Sequence, residues 1–142
     1  MSSIEAIREE HRALEARAAQ LLRIVSSPVP DPAAVAAVRW GMVQALSDHC
    51  SREDHQVYAA LLASDDPAAV VTAREFRREH GELERRFSDF VARWPLGRIA
   101  REWEIFRSDT AELVLALKRR IADEEAELYP LFKRLADRRV AA

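Results

Sequence analysis

Apolar residues recur along this chain at alternating spacings of three and four, which is the periodicity of amphipathic helices. Proline-containing stretches at residues 26–32, 64–67 and 94–97 interrupt the pattern. Because proline is poorly tolerated inside a helix, these stretches mark places where one helix ends and another begins. The pattern therefore predicts four helices, over roughly residues 3–25, 33–62, 68–93 and 98–138.

The short connections constrain how these helices pack. Only a few residues separate one predicted helix from the next, so consecutive helices are expected to run in opposite directions. Each helix also carries an apolar stripe that can pack against its neighbours. We therefore predict an all-α fold, an up-down-up-down antiparallel four-helix bundle that forms a single domain over residues 1–142.

The composition agrees with this fold and narrows the classes of function. Hydrophobic residues make up 49% of the chain and glycine contributes only three residues, a balance that favours helix. The net charge is -2 and the arginines are scattered, so no basic patch for nucleic acid is evident. Neither a leader peptide nor a membrane-spanning stretch is recognisable. We expect no nucleic-acid partner and no membrane partner.

Cysteine usage points to a reducing compartment. Cys50 is the only cysteine, which excludes a disulfide within the chain. We therefore expect a cytoplasmic protein, in which Cys50 acts as a small buried apolar residue.

Charged and polar residues interrupt the apolar stripes at corresponding places. In the first helix the step from Ile7 to Leu14 passes through His11, and in the third the step from Phe76 to Leu83 passes through a histidine. The second and fourth helices each carry two ionisable residues one turn apart on the inward face. The complete set of inward ionisable residues is His11, His49, Glu53, His80, Arg120 and Glu124.

These residues predict a metal site inside the bundle. Burying an unpaired charge is strongly unfavourable, so the set must be paired, hydrated or coordinated to a cation. At ~1.5 Å per residue, the histidines and glutamates fall within about 10 Å of one another along the bundle axis. Imidazole and carboxylate ligands together are typical of non-haem iron. His49 and Glu53, four residues apart, point the same way and can chelate one ion from a single helix.

Four motifs carry a resemblance to a known family. They are EHRALE at residues 10–15, HCSREDHQVY at 49–58, REHGELE at 78–84 and RIADEEAELYPLF at 120–132. Together they resemble the motifs of the hemerythrin-like family, cation-binding domains that hold a non-haem di-iron centre in a four-helix bundle. The resemblance implies that the metal ligands are His11, His49, Glu53, His80 and Glu124, with the two glutamates bridging two irons.

Two positions depart from the family pattern. Arg120 stands where the family has a histidine in the fourth helix, and Glu84 stands where many members have a second histidine in the third. Arginine keeps its proton and cannot be a ligand. Three outcomes are open. Glu84 supplies oxygen ligands to an unusual two-metal site, or Arg120 replaces the second cation and leaves one metal, or both metals are lost and Arg120 closes a buried salt-bridge network.

Further residues near the motifs have two interpretations each. Tyr58 and Tyr129 can donate hydrogen bonds to the metal ligands or can fill the end of the bundle. His55 faces away from the cluster by helical geometry, so we expect it on the surface. Asp54 and Glu125 lie one residue off the inward stripes, which favours a solvated face or a salt bridge.

The function that these features favour is reversible binding or sensing of a small ligand, namely dioxygen, nitric oxide or peroxide, or the handling of iron itself. Iron is the expected metal, in one or two copies, with zinc or manganese as alternatives. Oxidase or peroxidase activity is left open. The alternative function is a metal-free bundle that contacts a protein partner, which the sequence does not identify, through Trp40 or the end of the fourth helix.

Overall fold

α-Helices and two short π-helical segments make up the described part of the protein. The structure, a computed structural model, describes residues 3–141, with side chains for residues 4–138. The α-helices are α1 (Ser3–Ser26), α2 (Pro32–Glu53), α3 (Ala59–Leu62), α4 (Pro67–Arg93), α5 (Leu96–Arg101), α6 (Trp103–Asp123) and α7 (Tyr129–Ala141). One π-helical segment (Asp54–Tyr58) joins α2 to α3, and the other (Glu124–Leu128) joins α6 to α7. Residues 3–141 contain no strand, which confirms the all-α prediction.

Two of the long helices begin at the predicted proline-rich stretches. Asp31 caps α2 by accepting a hydrogen bond from the backbone N–H of Ala34 at 3.2 Å, and Pro32 follows in the first turn. Asp66 caps α4 in the same way, at 3.0 Å, and Pro67 follows it. Both devices suit a helix N-terminus, where backbone N–H groups lack partners within the helix.

The prediction of one continuous helix over residues 98–138 is wrong. The short helix α5 ends at Arg101, Glu102 leaves the helical conformation with φ −122° and ψ 46°, and α6 begins at Trp103. The Trp103 side chain is buried, and its indole N–H donates to the backbone carbonyl of Ser27 at 2.9 Å. The break accompanies this contact between Trp103 and the end of α1. The two residues are far apart in the chain, so the local sequence pattern does not predict the contact.

Contacts between distant residues show how the long helices pair. α1 packs against α2 and α6, and α4 packs against the same two helices. Near one end of α1, Val25 accepts a hydrogen bond from Arg107, and near the other end Arg12 pairs with Glu125. Residue numbers therefore rise along α1 while they fall along its partner, so α1 and α6 run in opposite directions.

The interior consists of two apolar clusters with a polar layer between them. The large apolar cluster includes Leu14, Leu46, Leu83 and Leu117, and the small apolar cluster includes Ile7, Val57, Phe76 and Leu128. On each long helix the inward polar residues lie between these clusters, as His11 does between Ile7 and Leu14. The two clusters therefore exclude water from the polar layer on both sides.

The surface carries scattered apolar side chains. Trp40 is 69% exposed, in line with the expectation that it faces solvent. The other large exposed apolar residues are Val29, Val71, Leu96, Ile105 and Leu115. Within the described part of the chain, no helix combines the length and the apolar character that crossing a membrane requires.

Candidate metal centre

Four of the predicted ligands converge in the polar layer. His11 comes from α1, His49 and Glu53 come from the end of α2, and Glu124 begins the second π-helical segment. All four side chains are buried. One ligand atom from each lies within 4.8 Å of one ligand atom from each of the others. Three separate stretches of the chain thus direct two imidazoles and two carboxylates toward one point.

The spacing of these atoms suits the first coordination shell of a metal ion. The distances are 3.2 Å between the Nε2 atoms of His11 and His49, 2.9 Å from His49 Nε2 to Glu53 Oε2, and 3.2 Å from His11 Nε2 to Glu124 Oε1. Neighbouring ligand atoms around an ion with bonds of about 2.1 Å lie about 3 Å apart. The four side chains therefore need little movement to coordinate one ion.

A carboxylate lies behind the inward histidine of α2. The Nδ1–H of His49 donates to Glu10 Oε1 at 3.2 Å, and Arg52 holds the other oxygen of Glu10 at 3.0 Å. A hydrogen bond of this kind fixes the tautomer and leaves the lone pair of Nε2 free to bind a metal. The Nε2 of His49 then presents a lone pair to the centre of the cluster.

The histidine of α1 has a similar environment. Oε1 of Glu125 lies 3.7 Å from Nδ1 of His11, and Arg12 holds the same oxygen at 2.6 Å. Glu125 forms the salt bridge expected for an off-stripe residue, and it also stands behind a predicted ligand. A negatively charged group thus lies on the outer side of both imidazoles, but only His49 hydrogen-bonds to it, because Nδ1 of His11 has no hydrogen-bond partner in the described part of the chain.

Each of the two tyrosines contacts the glutamate that lies on the other helix. Tyr129 follows Glu124 in the chain, yet its hydroxyl donates to Glu53 Oε2 at 2.9 Å and lies 3.0 Å from His11 Nε2. Tyr58 follows Glu53, and its hydroxyl lies 3.5 Å from Glu124 Oε2. Of the two interpretations of these tyrosines, the contacts match hydrogen bonding to the carboxylates. Burial raises the pKa of both hydroxyls, and the carboxylates add to the rise.

The π-helical segments explain how a glutamate and the tyrosine five residues later both face inward. In a regular α-helix, five residues advance the side-chain direction by about 500°, which leaves the tyrosine about 140° away from the glutamate. A π-helical turn is wider, with hydrogen bonds five residues apart, such as that from the N–H of Tyr129 to the carbonyl of Glu124. The wider turn brings Glu124 and Tyr129, and likewise Glu53 and Tyr58, onto the same face.

Arg120 is buried beside the four-residue cluster and has hydrogen-bond partners outside it. Its side chain is 7% exposed, and its Nη2 donates to Tyr58 Oη at 2.9 Å and to the backbone carbonyl of Phe76. Nη1 donates to Glu79 Oε2 at 3.1 Å, and Nη2 lies 3.6 Å from Glu124 Oε2. The guanidinium therefore supplies a permanent positive charge on the side of Glu124 that faces away from His11.

His80 lies beside the four converging residues but outside their group of ligand atoms. Its Nδ1 lies 3.6 Å from Glu124 Oε2 and 3.8 Å from Glu53 Oε1, while its Nε2 lies 3.8 Å from Glu84 Oε1. Ligand atoms of Cys50, His80 and Glu84 lie within 4.8 Å of one another and form a second group. Burial raises the pKa of the Cys50 thiol, and the Glu84 carboxylate adds to the rise.

The electrostatics of the four-residue cluster favour a bound cation. Burial disfavours the charged form of His49, but Glu124 and Glu53 outweigh it and raise its pKa to about 10. Burial and the Glu124 carboxylate raise the pKa of Glu53. Burial acts to raise the pKa of Glu124 too, but hydrogen bonds with its neighbours hold that pKa well below its usual range. Two carboxylates in a dry core thus attract positive charge, a proton or a metal ion.

Sequence reasoning missed two participants. Glu10 stands next to His11 in the chain but contacts His49 on the neighbouring helix, and nothing in its local pattern distinguishes it from a surface glutamate. Cys50 is buried, as predicted, but it lies beside His80 and Glu84 rather than among apolar residues alone. Both positions flank a predicted ligand directly, which is the one signal that could have identified them. His55 is exposed, as expected.

A family comparison identifies this architecture. The sequence model of the hemerythrin HHE cation binding domain matches residues 2–132, which is most of the 142-residue chain. No curated protein and no solved structure matches the chain. The extent of the family match means that the chain belongs to the hemerythrin HHE cation-binding family.

Proposed function

We propose that this member of the hemerythrin HHE cation-binding family holds one non-haem iron ion and uses it to bind or sense dioxygen or nitric oxide. The ligands in this proposal are His11, His49, Glu53 and Glu124. The family match and the converging side chains support binding of a metal cation. The choice of iron rests on the donor set, two imidazoles and two carboxylates, which suits iron better than zinc, and manganese is the nearest alternative.

The single observation that carries the proposal is the contact between the two imidazoles. The Nε2 atoms of His11 and His49 lie 3.2 Å apart, and each also faces a carboxylate oxygen. Both Nε2 atoms point toward the same place, and the Glu10 carboxylate behind His49 leaves Nε2 of that ring available to a metal. Two imidazole nitrogens and two carboxylates this close together need a positive charge between them, which a proton on His49 supplies in the metal-free protein. A metal ion meets that requirement for all four side chains at once.

The position of Arg120 favours one metal rather than two at this centre. A second metal bridged by Glu124 would need a cation next to Oε2, where the guanidinium of Arg120 lies 3.6 Å away. Glu84 does not supply a replacement ligand next to Glu124. It faces Nε2 of His80, whereas Nδ1 on the other side of that ring faces the Glu124 carboxylate. These contacts support the second of the three outcomes, in which Arg120 takes the place of the second cation.

The same geometry supports a small ligand. The iron would supply an open coordination position, since four protein ligands do not saturate a six-coordinate ion. Apolar clusters enclose the polar layer on both sides, and a diatomic molecule is small enough to enter by side-chain motion. Tyr129 holds Glu53 through its hydroxyl hydrogen bond and so keeps that carboxylate oriented toward the metal.

The proposal also includes the topology of the bundle and the cellular compartment of the protein. The antiparallel pairing of α1 with α6 supports an up-down-up-down bundle that forms one domain. The single cysteine, which cannot form a disulfide within the chain, supports a reducing, cytoplasmic compartment for an iron that must stay ferrous to bind its ligand. Binding or sensing, rather than turnover of a substrate, is the activity that we propose.

Metal analysis of matched histidine variants tests the proposal. The protein, loaded anaerobically with ferrous iron and freed of excess, is compared with His49→Ala and with His55→Ala, whose side chain is exposed and faces away from the cluster. We expect His49→Ala to lose one iron per chain and the ligand-dependent absorption change on addition of nitric oxide, while His55→Ala keeps both.

Other results would contradict the proposal in distinct ways. Loss of two irons in His49→Ala would show a dinuclear centre despite Arg120. No difference between His49→Ala and the parent protein would mean that the cluster holds no iron, and would favour the metal-free interaction module.

A further inference from the structure

A second group of potential ligands lies outside the four-residue cluster. Cys50 is on α2, while His80 and Glu84 lie one turn apart on α4. One ligand atom from each residue lies within 4.8 Å of one from each of the others. The two helices thus bring a thiol, an imidazole and a carboxylate together across their interface.

The histidine of this group is buried without a hydrogen bond. His80 is 4% exposed, and neither of its ring nitrogens has a hydrogen-bond partner in the part of the chain that the structure describes. Its Nε2 lies 3.8 Å from Glu84 Oε1, too far for a hydrogen bond but close enough to share an ion. Burying a polar group without a hydrogen bond raises the free energy of the folded protein. A ligand at this nitrogen would remove that cost.

The donor set differs in kind from that of the four-residue cluster. Thiolate sulfur, imidazole nitrogen and carboxylate oxygen are the protein ligands of zinc, and sulfur favours zinc-like borderline ions over magnesium, calcium or manganese. In a tetrahedral site of this type the ligand atoms lie roughly 3.3 to 3.6 Å apart, given bonds of about 2.0 to 2.3 Å. Glu84 is 45% exposed and can move the short distance that closure of the site requires.

We propose that Cys50, His80 and Glu84 form a second cation site, specific for a borderline divalent ion such as zinc and separate from the iron site. The three protein ligands leave a fourth position open. This site does not depend on the iron site being occupied, because the two sites share no ligand.

The surroundings of the site allow a metal ion to reach it. Glu84 lines a groove of about 350 Å³ between α2 and α4, together with Leu46, Ser47 and Phe87. The exposed carboxylate of Glu84 can capture an ion from solvent, and ligand atoms of the buried Cys50 and His80 lie within 4.8 Å of its own. The site therefore has both an entry route and a dry interior.

Cobalt titration of the full-length, metal-free protein under reducing, anaerobic conditions tests this site. Cobalt replaces zinc in sites of this kind, and a thiolate ligand produces an intense near-ultraviolet charge-transfer band. We expect the band in the parent protein, its loss in Cys50→Ala, and cobalt affinity at the sulfur site about tenfold or more weaker in Glu84→Ala. The matched control is Glu82→Ala, on the same helix and also exposed, which leaves the band unchanged.

The variants also separate this site from the iron site. His49→Ala is expected to keep the sulfur-to-cobalt band although it loses the ion held by the four-residue cluster. Absence of the band from the parent protein, its survival in Cys50→Ala, or its indifference to Glu84→Ala would each overturn the three-ligand site. If Cys50→Ala fails to fold, the exposed Glu84→Ala variant decides the matter alone, since its side chain contributes nothing to the apolar core.

Discussion

Two stretches of this protein, 71 positions apart, place corresponding residues around the same centre. One runs from His49 through Glu53 to Tyr58, and the other runs from Arg120 through Glu124 to Tyr129. Both have an ionisable residue, a buried glutamate four residues later, a π-helical turn and a tyrosine that contacts the other stretch's glutamate. The backbone and the roles of the glutamate and the tyrosine correspond, and only the first residue differs in chemical character.

That one difference changes the whole environment of the first residue. His49 has the carboxylate of Glu10 behind it and directs a lone pair inward. Arg120 donates outward to Glu79 and to the carbonyl of Phe76, and its positive charge approaches Glu124. One stretch therefore offers a ligand for a cation, while the other supplies a cation as part of the protein. This contrast predicts that the residue at position 120 sets how many metal ions the protein holds.

Changing Arg120 to histidine should have the largest effect, because it makes the two stretches alike. In a Cys50→Ala background, which removes the sulfur site, we expect Arg120→His to bind one more iron than its parent. The physical reason is that the imidazole supplies a ligand where a permanent charge had repelled the second ion. Iron content per chain and the appearance of a bridged di-iron absorption band measure the change.

A neutral replacement provides the control for this prediction. Arg120→Met in the same background removes the charge but offers no nitrogen ligand, so it should keep the parent's iron content. An equal gain of iron in Arg120→Met would show that repulsion alone excludes the second ion. No gain in Arg120→His would contradict the role that we assign to Arg120.

A smaller effect is expected from the carboxylate behind His49. Glu10→Gln keeps the shape of the side chain but removes its charge, and it should weaken iron binding about 10- to 100-fold, as is usual for groups that orient a metal-bound histidine. The matched change for the other stretch is Glu79→Gln, which alters the partner of Arg120. It should weaken iron binding less than Glu10→Gln does. Competition with a metal chelator measures both affinities. Equal losses in the two variants would mean that the stretches do not differ in function.

The effect furthest from metal binding concerns the stability of the metal-free protein. The pKa of His49 rises from its ordinary value of 6.5 to about 10 on folding, so the folded protein binds a proton that the unfolded chain releases. This stabilisation is complete below pH 6.5 and is lost as the pH rises toward 10. The free energy of unfolding should therefore fall across that range, by about 1.4 kcal/mol per pH unit at most.

Denaturant unfolding at several pH values checks this prediction. Loading with iron should abolish the decline, because the metal then replaces the proton beside the carboxylates, and His55→Ala should decline like its parent. A metal-free protein whose stability is flat between pH 6.5 and 10 would show that His49 is not the group that holds the proton.

Much of the candidate site was predictable from local pattern. Periodicity alone placed His11, His49, Glu53 and Glu124 on inward faces, because helix geometry relates spacing along the chain to direction around the helix. Periodicity does not predict the π-helical turns, although both stretches place a tyrosine five residues after the inward glutamate. That spacing conflicts with a regular α-helix if both residues are buried, and the conflict was the available signal.

Local patterns in the chain specify the helical class, most helix boundaries and the set of ionisable residues inside the protein, since each depends on neighbours within a few positions. Tertiary structure alone decided the rest. It placed Glu10 behind His49, directed Arg120 away from the centre toward α4, and brought Cys50 beside His80. These contacts join residues tens of positions apart in the chain, and their geometry depends on how whole helices pack, which no local pattern records.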